Sequence, residues 1–113
     1  GSIPIPRKLA EKGVKDMLRV SDARMSGTAG GTVVLHCSPE AARGGPLSLV
    51  KDGDLIELDI NKRMINILLS DSEKSIRREA YSRKTIMFAE RGWKSIHEKH
   101  ILPAHLGADL DFL

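Results

Sequence analysis

Residues 21–32 read SDARMSGTAGGT and combine hydroxyl side chains with one arginine, one aspartate and three glycines. Apolar runs precede and follow this stretch, so we predict a loop between two strands. Glycine permits unusual backbone angles and a close approach of a ligand to the backbone, and loops on a rigid scaffold often carry function. The pattern therefore predicts a ligand-binding loop, with an ordinary glycine–serine turn as the alternative.

Strands are predicted on both sides of this loop. Residues 16–20 (DMLRV) form the first, and residues 32–37 (TVVLHC) form a second that is apolar enough to be buried on both faces. A short strand over 47–50 and an Asp-Gly turn over 51–54 follow. Residues 55–60 and 64–69, joined by a turn at 61–63, complete a predicted β-meander.

Helices are predicted at three places. Residues 7–12 form a short helix after Pro6, with Gly13 as its C-cap, and Ser38 with Pro39 predicts a second helix start. From Ser70 or Asp71 onward the spacing becomes helical, with i,i+4 pairs of opposite charge. The pairs are Glu73–Arg77 and Glu79–Arg83, the apolar positions are Ile76, Ala80, Tyr81, Ile86, Ala89, Trp93 and Ile96, and Gly92 interrupts or re-aims the helix.

Composition limits the classes of protein that fit. A chain of 113 residues with 41% hydrophobic and 29% charged residues suits one globular domain over 1–113. A net charge of +3 without a basic cluster argues against nucleic-acid binding. One cysteine excludes an internal disulfide and favours a cytoplasmic protein. Neither a membrane span nor a signal peptide is indicated.

Three local patterns allow two interpretations each. Residues 27–31 lack the lysine of a phosphate-binding P-loop, although their backbone amides and the nearby hydroxyls suit an anion or a carboxylate. His97, His100 and His105 could contribute to a metal site, but ordinary surface histidines are favoured because a further ligand is needed. Cys37, beside His36, is interpreted as a small buried hydrophobe.

Ordered blocks across the chain carry a family resemblance. They are VSDARMSGT at 20–28, VVLH at 33–36, SPEA at 38–41, GGPL at 44–47 and KDGDLIE at 51–57. Together they resemble the C-terminal domain of the dihydroxy-acid dehydratase/phosphogluconate dehydratase family. Residues 3–9 also fit, and residues 107–113 (GADLDFL) are similar to its sugar-acid branch, the arabinonate and xylonate type.

This resemblance implies both a fold and a reaction. The fold is an α/β swivelling β/β/α domain, a compact barrel-like mixed sheet with flanking helices. The family's enzymes are hydro-lyases that convert 2,3-dihydroxy carboxylic acids or aldonic acids to 2-keto-3-deoxy acids, in sugar-acid metabolism or branched-chain amino acid biosynthesis. The alternative is a non-catalytic binding or regulatory domain that kept the fold.

The resemblance also implies cofactors and partners. An iron–sulfur cluster and Mg²⁺ are held mainly by an N-terminal domain that this sequence lacks, so the domain alone is expected to bind neither and to be inactive. The expected partners are that N-terminal domain, a small hydroxy acid, and further copies of the chain in a homo-oligomer of the full enzyme.

Site residues follow from the same resemblance. Ser26 matches the base that removes the C2 proton, while Thr28, Arg24 and Gly27 match substrate-binding positions, and no metal ligand is expected in this chain. For Arg24 the resemblance leaves a second role open, an ion pair with Asp22 that braces the loop, and bracing is favoured. Sugar-acid members often carry a bulky residue where Gly30 stands, so Gly30 is expected to widen the pocket or to loosen the loop.

Overall fold

The computed structural model describes residues 3–25, 30–82 and 88–113. Within them, three α-helices, four strands and three short 3₁₀ helices follow one another as a mixed α/β arrangement. The α-helices are α1 (Arg7–Ala10), α2 (Asp71–Ser82) and α3 (Gly92–His100), and the strands are β1 (Arg19–Val20), β2 (Val33–Val34), β3 (Ile56–Asp59) and β4 (Met64–Ile67). The 3₁₀ helices are Ala41–Arg43, Pro46–Leu49 and Ala104–Leu106.

β1 and β2 are shorter than predicted and run parallel. Arg19 lies opposite Val33, and Val20 lies opposite Val34. The predicted strand over 32–37, buried on both faces, is wrong in extent and in burial, because both residues of β2 are only half-buried. The strand ends before His36, whose φ of 57° is left-handed and therefore incompatible with extended backbone.

β3 and β4 form the predicted antiparallel hairpin. Four residue pairs, from Ile56 opposite Ile67 to Asp59 opposite Met64, set its register. The Asp59 carboxylate accepts a hydrogen bond from the Lys62 amide at 2.9 Å, and this bond closes the turn that the sequence placed at 61–63. The rest of the predicted meander is wrong, since residues 46–49 form a 3₁₀ helix rather than a strand.

Gly45 explains why residues 39–49 fold into two tight turns. A Cβ added at Gly45 would overlap with the carbonyl oxygen of Pro39, so the chain can cross itself only where no side chain is present. The helix predicted to begin at Ser38 is instead the 3₁₀ helix Ala41–Arg43, which has Glu40 rather than Ser38 at its N-cap.

α2 begins as predicted, because the Ser70 hydroxyl accepts a hydrogen bond from the Glu73 amide at 3.2 Å. Arg77 of α2 also donates to Glu73 at 2.6 Å, which confirms that i,i+4 pair, while the pair Glu79–Arg83 involves a residue outside the described ranges. α3 starts at Gly92, so the predicted break is confirmed. None of the helices in the described residues is long and apolar enough to span a membrane.

Little of this chain is fully buried. Among the described residues, Leu49, 4% exposed, is the buried hydrophobic residue and lies beneath α2, and ten large apolar side chains are exposed, Ile76 of the predicted helix face among them. The accessible surface of 8686 Å² exceeds the roughly 6,100 Å² expected of a folded monomer of this mass. The described residues form two separate two-stranded sheets and no closed barrel, so the swivelling barrel-like arrangement stays a prediction.

Candidate functional site

The candidate loop joins two parallel strands, and backbone hydrogen bonds hold its flanks together. The Ser21 amide donates to the carbonyl of Val34 at 2.9 Å, and the Cys37 amide donates to the carbonyl of Ser21 at 3.1 Å. Ser26, Gly27 and Thr28, predicted as base and substrate-binding residues, lie outside the described residues. The described part of the site consists of the flanks of the loop, residues 16–25 and 30–43.

Asp16 anchors the chain just after the loop. Its carboxylate accepts a hydrogen bond from the Thr32 hydroxyl at 2.7 Å and from the Thr32 amide at 3.1 and 3.0 Å. The hydroxyl bond and then the amide bond hold the pKa of Asp16 below its ordinary value. Asp16 is ionised at neutral pH and fixes the start of β2 against the chain that enters β1.

The Arg19 side chain bonds to three parts of the chain. Its guanidinium donates to the carbonyl of Gly30 at 2.6 Å, to Asp16 at 3.2 Å and to the carbonyl of Ile3. Only 10% of its side chain is exposed. A buried guanidinium with several acceptors is a rigid anchor, because the planar group presents its donors in fixed directions.

Asp22 and Arg24 do not pair with each other. The Asp22 carboxylate accepts a hydrogen bond from the Ala41 amide at 2.6 Å, so it caps the 3₁₀ helix Ala41–Arg43. Arg24 donates to Glu40 at 3.2 Å and to the carbonyl of Leu102 at 2.7 Å. Arg24 thus braces the loop through partners other than Asp22, and its role in binding substrate stays a prediction.

Glu40 is the acidic residue that pairs with Arg24 and Arg43. Burial alone raises the pKa of Glu40, but hydrogen bonds from its own amide and from Arg24, with the positive charges of Arg24 and Arg43, outweigh burial and leave the pKa lowered. Glu40 is therefore an anion at neutral pH, and it holds both arginines on one wall of an open cleft.

That cleft has a volume of about 590 Å³ and lies between the loop flank and α3. Its walls carry charges of both signs, contributed mainly by Arg24, Glu40, Arg43, Glu98 and Lys99. Arg24 and Arg43 reach across to α3's C-terminal end, where they donate to the carbonyls of Leu102 and Ile101 at 2.7 Å each. A cleft of this size suits a small polar ligand.

The histidines do not converge on one site. His100 lies 3.0 Å from the Asp111 carboxylate, His105 lies 2.6 Å from the Ser38 hydroxyl, and His97 lines the cleft. Within the described ranges, no three side chains of histidine, cysteine or an acid are grouped as a metal site would need. Cys37 lines a second cavity of about 220 Å³. Burial, and after it the negative charge of Asp22, raises the pKa of the Cys37 thiol.

Sequence reasoning missed three contributors to the site: Asp16, Arg19 and His36, whose Nε2 lies 3.1 Å from the carbonyl oxygen of Met25. The contacts of Asp16 and Arg19 with residues 30–32 span eleven to sixteen positions and have no periodic signal. The single local hint was the pair of glycines at 30 and 31, since a Cβ at Gly31, whose φ is 86°, would overlap with both Asp16 and Arg19.

Comparison with known proteins shows which family the sequence of this chain matches. Residues 2–108 match the model of the dihydroxy-acid/6-phosphogluconate dehydratase C-terminal family. Over all 113 residues the chain is 51% identical to the L-arabinonate dehydratase of Rhizobium leguminosarum bv. trifolii and 45% identical to the 6-deoxy-6-sulfo-D-gluconate dehydratase of Pseudomonas putida, and it covers 19% of each.

A dihydroxy-acid dehydratase is also among the relatives of this chain. The dihydroxy-acid dehydratase of Methanobrevibacter smithii is 41% identical over 102 residues, which are 90% of this chain and 18% of that protein. The chain thus spans about a fifth of the length of the curated relatives that it matches. With nearly its whole length matched, the chain belongs to the dihydroxy-acid/6-phosphogluconate dehydratase C-terminal family.

Proposed function

We propose that this chain is the catalytic-loop domain of a sugar-acid dehydratase. The proposal is supported mainly by the 51% identity to an L-arabinonate dehydratase. That alignment covers all 113 residues and therefore includes the whole loop. A dihydroxy-acid substrate is the second choice, since the matches to dihydroxy-acid dehydratases cover less of the chain, 90% and 62% of it. The reaction is the loss of water from a 2,3-dihydroxy acid or an aldonic acid.

Ser26 is the proposed base of this reaction. Its oxygen removes the proton from C2, and the C2–H electron pair forms the C2–C3 double bond as the C3 hydroxyl leaves and takes up a proton to become water. The resulting enol tautomerises to the 2-keto-3-deoxy acid. Thr28, Gly27 and Arg24 are the proposed substrate-binding residues.

The iron–sulfur cluster that the resemblance implies does not fit the residues of this chain. A cluster is held by several cysteine thiolates, whereas the sequence has one cysteine and burial raises the pKa of its thiol. We propose that the remaining four-fifths of a full-length enzyme hold the cluster and Mg²⁺. Ser26 depends on that portion, because a serine hydroxyl is too weakly acidic to act as a base without activation.

The surface of the chain supports such a partner. Large apolar side chains are exposed in the part of the chain that the structure describes, among them Trp93 at 74% and Ile60 at 78%. The radius of gyration of 16.3 Å exceeds the roughly 13 Å expected for a compact domain of this length. We propose that the N-terminal portion of the same enzyme covers part of this apolar surface, in a homo-oligomeric, cytoplasmic protein.

The test is a fused enzyme in which this chain replaces the matching C-terminal fifth of the Rhizobium leguminosarum L-arabinonate dehydratase. We expect the fused enzyme to convert L-arabinonate to the keto acid, and Ser26→Ala to lower kcat by about 10² or more. Ser75→Ala, a serine change on the exposed face of α2, is the matched control. An inactive fused enzyme would favour a non-catalytic binding or regulatory domain instead, whereas full activity in Ser26→Ala would remove Ser26 from the role of base.

A further inference from the structure

The open cleft between the loop flank and α3 has an excess of positive charge on one wall. Arg24 and Arg43, here called the arginine pair, both face Glu40, at 3.2 and 4.0 Å. All three side chains line the cleft. Because one carboxylate carries a single charge, it can neutralise only one of the two guanidinium groups. The arginine pair therefore keeps one positive charge in excess.

Arg43 has donors to spare for a ligand. Its Nη2 donates to the Ile101 carbonyl at 2.7 Å, whereas its Nε lies 4.0 Å from Glu40, which is beyond hydrogen-bond distance. A guanidinium group carries five N–H groups in a planar fork. The side chain of Arg43 is 42% exposed. Arg43 can therefore donate to a ligand in the cleft while its bond to Ile101 holds it at the end of α3.

Lys99 adds a second cation to the same cleft. It lies in the last turn of α3 and lines the cleft. Among the residues that the structure describes, its ammonium group has neither an acidic partner nor a hydrogen-bond partner. An unpaired ammonium group close to guanidinium groups attracts anions.

The acids of the cleft leave this positive charge largely in place, because they already have donors of their own. Glu98 accepts a hydrogen bond from the Ala89 amide at 2.6 Å and pairs with Lys94 at 3.7 Å. Asp22 accepts a hydrogen bond from a backbone amide at 2.6 Å. Asp22 alone opposes the excess charge of the arginine pair and the charge of Lys99. The cleft is therefore net positive, and it also offers acceptors.

We propose that this cleft binds a small hydroxycarboxylate, whose carboxylate is held by Arg43 and Lys99. Guanidinium and ammonium groups form strong charge-assisted bonds to carboxylates, and a volume of about 590 Å³ is within the range of small-molecule sites. Asp22, His97 and Glu98 line the same cleft and suit the hydroxyl groups of such an acid. The inference goes beyond the proposed function, because it concerns binding alone and needs no chemical step.

The first test is an NMR titration of the ¹⁵N-labelled 113-residue chain with L-arabinonate. We expect saturable shifts of the amides of residues 22–24, 40–43 and 97–101, and these shifts should become smaller in high salt. L-Arabinitol has hydroxyl groups without the carboxylate and should cause no such shifts, and acetate, with the charge but no hydroxyl groups, should bind more weakly. Equal binding of all three ligands, or no saturable shifts with L-arabinonate, would overturn the inference.

Charge variants of the chain test the residues that hold the carboxylate. Arg43→Met should weaken L-arabinonate binding about tenfold, and the exposed Lys99→Met about two- to fivefold. Asp22→Asn keeps an acceptor for the backbone amide but removes a negative charge, so it should strengthen binding about two- to fivefold. Lys8→Met, at an exposed lysine of α1, is the control.

The gain in Asp22→Asn is the decisive result, because damage to the fold would only weaken binding. Weaker binding in Asp22→Asn, or affinities of Arg43→Met and Lys99→Met that equal that of Lys8→Met, would overturn the inference.

The second test uses the fused enzyme and an amine-reactive reagent, with the modified lysines identified by mass spectrometry. L-Arabinonate should slow the modification of Lys99 and leave Lys8 unchanged, whereas L-arabinitol should protect neither. The keto-acid product belongs to the same ligand class, so turnover does not remove the protection. A Lys99 that is unreactive without any ligand would show that the rest of the enzyme covers the cleft, and would overturn the inference.

The two proposals can fail separately in this experiment. An active fused enzyme in which L-arabinonate does not protect Lys99 would overturn the binding cleft and keep the proposed function. Protection of Lys99 in an inactive fused enzyme would support the cleft and count against the proposed function.

Discussion

Arg77 of α2 and Asp54, in the turn before β3, form a two-pronged ion pair. Nη2 donates to Oδ1 of Asp54 at 3.1 Å, and Nη1 donates to Oδ2. Both side chains are almost completely covered, at 11% and 9% exposed. Arg77 also donates to the Leu49 carbonyl at 3.0 Å, so one guanidinium ties α2 to the 3₁₀ helix Pro46–Leu49 and to the β3–β4 hairpin.

Arg77→Met should therefore destabilise the chain more than Arg78→Met, since the neighbouring Arg78 is exposed. The substitution keeps most of the apolar stem but leaves the Asp54 carboxylate covered and without its main donor, which is costly. Thermal unfolding followed by circular dichroism should show a clearly lower midpoint for Arg77→Met and little change for Arg78→Met. Equal midpoints for the two variants would contradict the role of Arg77.

Acid should weaken the same contact. The hydrogen bond from Arg77, and then the one from the Lys51 amide, hold the pKa of Asp54 below its ordinary value. A lowered pKa in the folded state means that the carboxylate stabilises the fold fully above the unfolded pKa of about 4 and loses this effect as the pH falls through the folded pKa. Asp16 acts in the same direction, since its pKa is also lowered.

Urea unfolding between pH 7 and pH 3 tests this dependence. The midpoint should decrease below about pH 4, and Asp54→Asn should make that decrease shallower because one of the linked groups no longer titrates. The exposed Asp52→Asn serves as the control, and it should leave the slope unchanged. A slope that is the same in all three proteins would remove Asp54 from the acid response.

The buried residue Leu49 should dominate the apolar part of stability. It is 4% exposed and lies beneath α2, where truncation leaves a cavity. Leu49→Ala should lower the free energy of unfolding by about 2–5 kcal/mol. Leu55→Ala, at a side chain that is 68% exposed, should change it by less than about 0.5 kcal/mol. A similar loss of unfolding free energy in both variants would show that Leu49 does not dominate the apolar part of stability.

Local signals in the sequence were enough for the elements that depend on neighbours in the chain. Ser70 and Glu73 specify the start of α2, and the alternation of residues 56–67 around a turn specifies the hairpin. The same reasoning failed at residues 46–49, because Gly45 and the crossing with Pro39 decide that segment. Sequence reasoning also predicted too long a strand for β2, because the left-handed φ of His36 is set by contacts with residues 23 and 25.

In the candidate site, too, the local features were predictable from the sequence and the contacts between distant residues were not. The composition of the loop at 21–32 was visible in the sequence, and so was the choice of Ser26, Thr28 and Arg24 by resemblance. The brace between Arg24 and Glu40 and the contacts of Asp16 with Thr32 each span 16 positions. Contacts at such separations are fixed by the packing of the chain, for which a single sequence provides no periodic pattern.

Gly30 and Gly31 provide the sharpest comparison around the loop. A Cβ at Gly31 would overlap with Asp16 and Arg19, and its φ of 86° disfavours any side chain, whereas a Cβ at Gly30 has nothing within 4 Å. Gly31→Ala should destabilise the chain by more than about 1 kcal/mol, and Gly30→Ala should be close to neutral. Chemical unfolding of the two variants measures this difference directly.

Amide hydrogen exchange shows whether the loss of stability in Gly31→Ala arises near Asp16 and Arg19. The Thr32 amide, which donates to Asp16 at 3.0–3.1 Å, should exchange faster in Gly31→Ala than in Gly30→Ala. Amides of β3 and β4 should change less, since the nearest atoms to a Cβ at Gly31 belong to Asp16 and Arg19. Equal stability and equal Thr32 exchange in the two variants would show that Asp16 and Arg19 can move aside for a methyl group, and the requirement for glycine at position 31 would then be wrong.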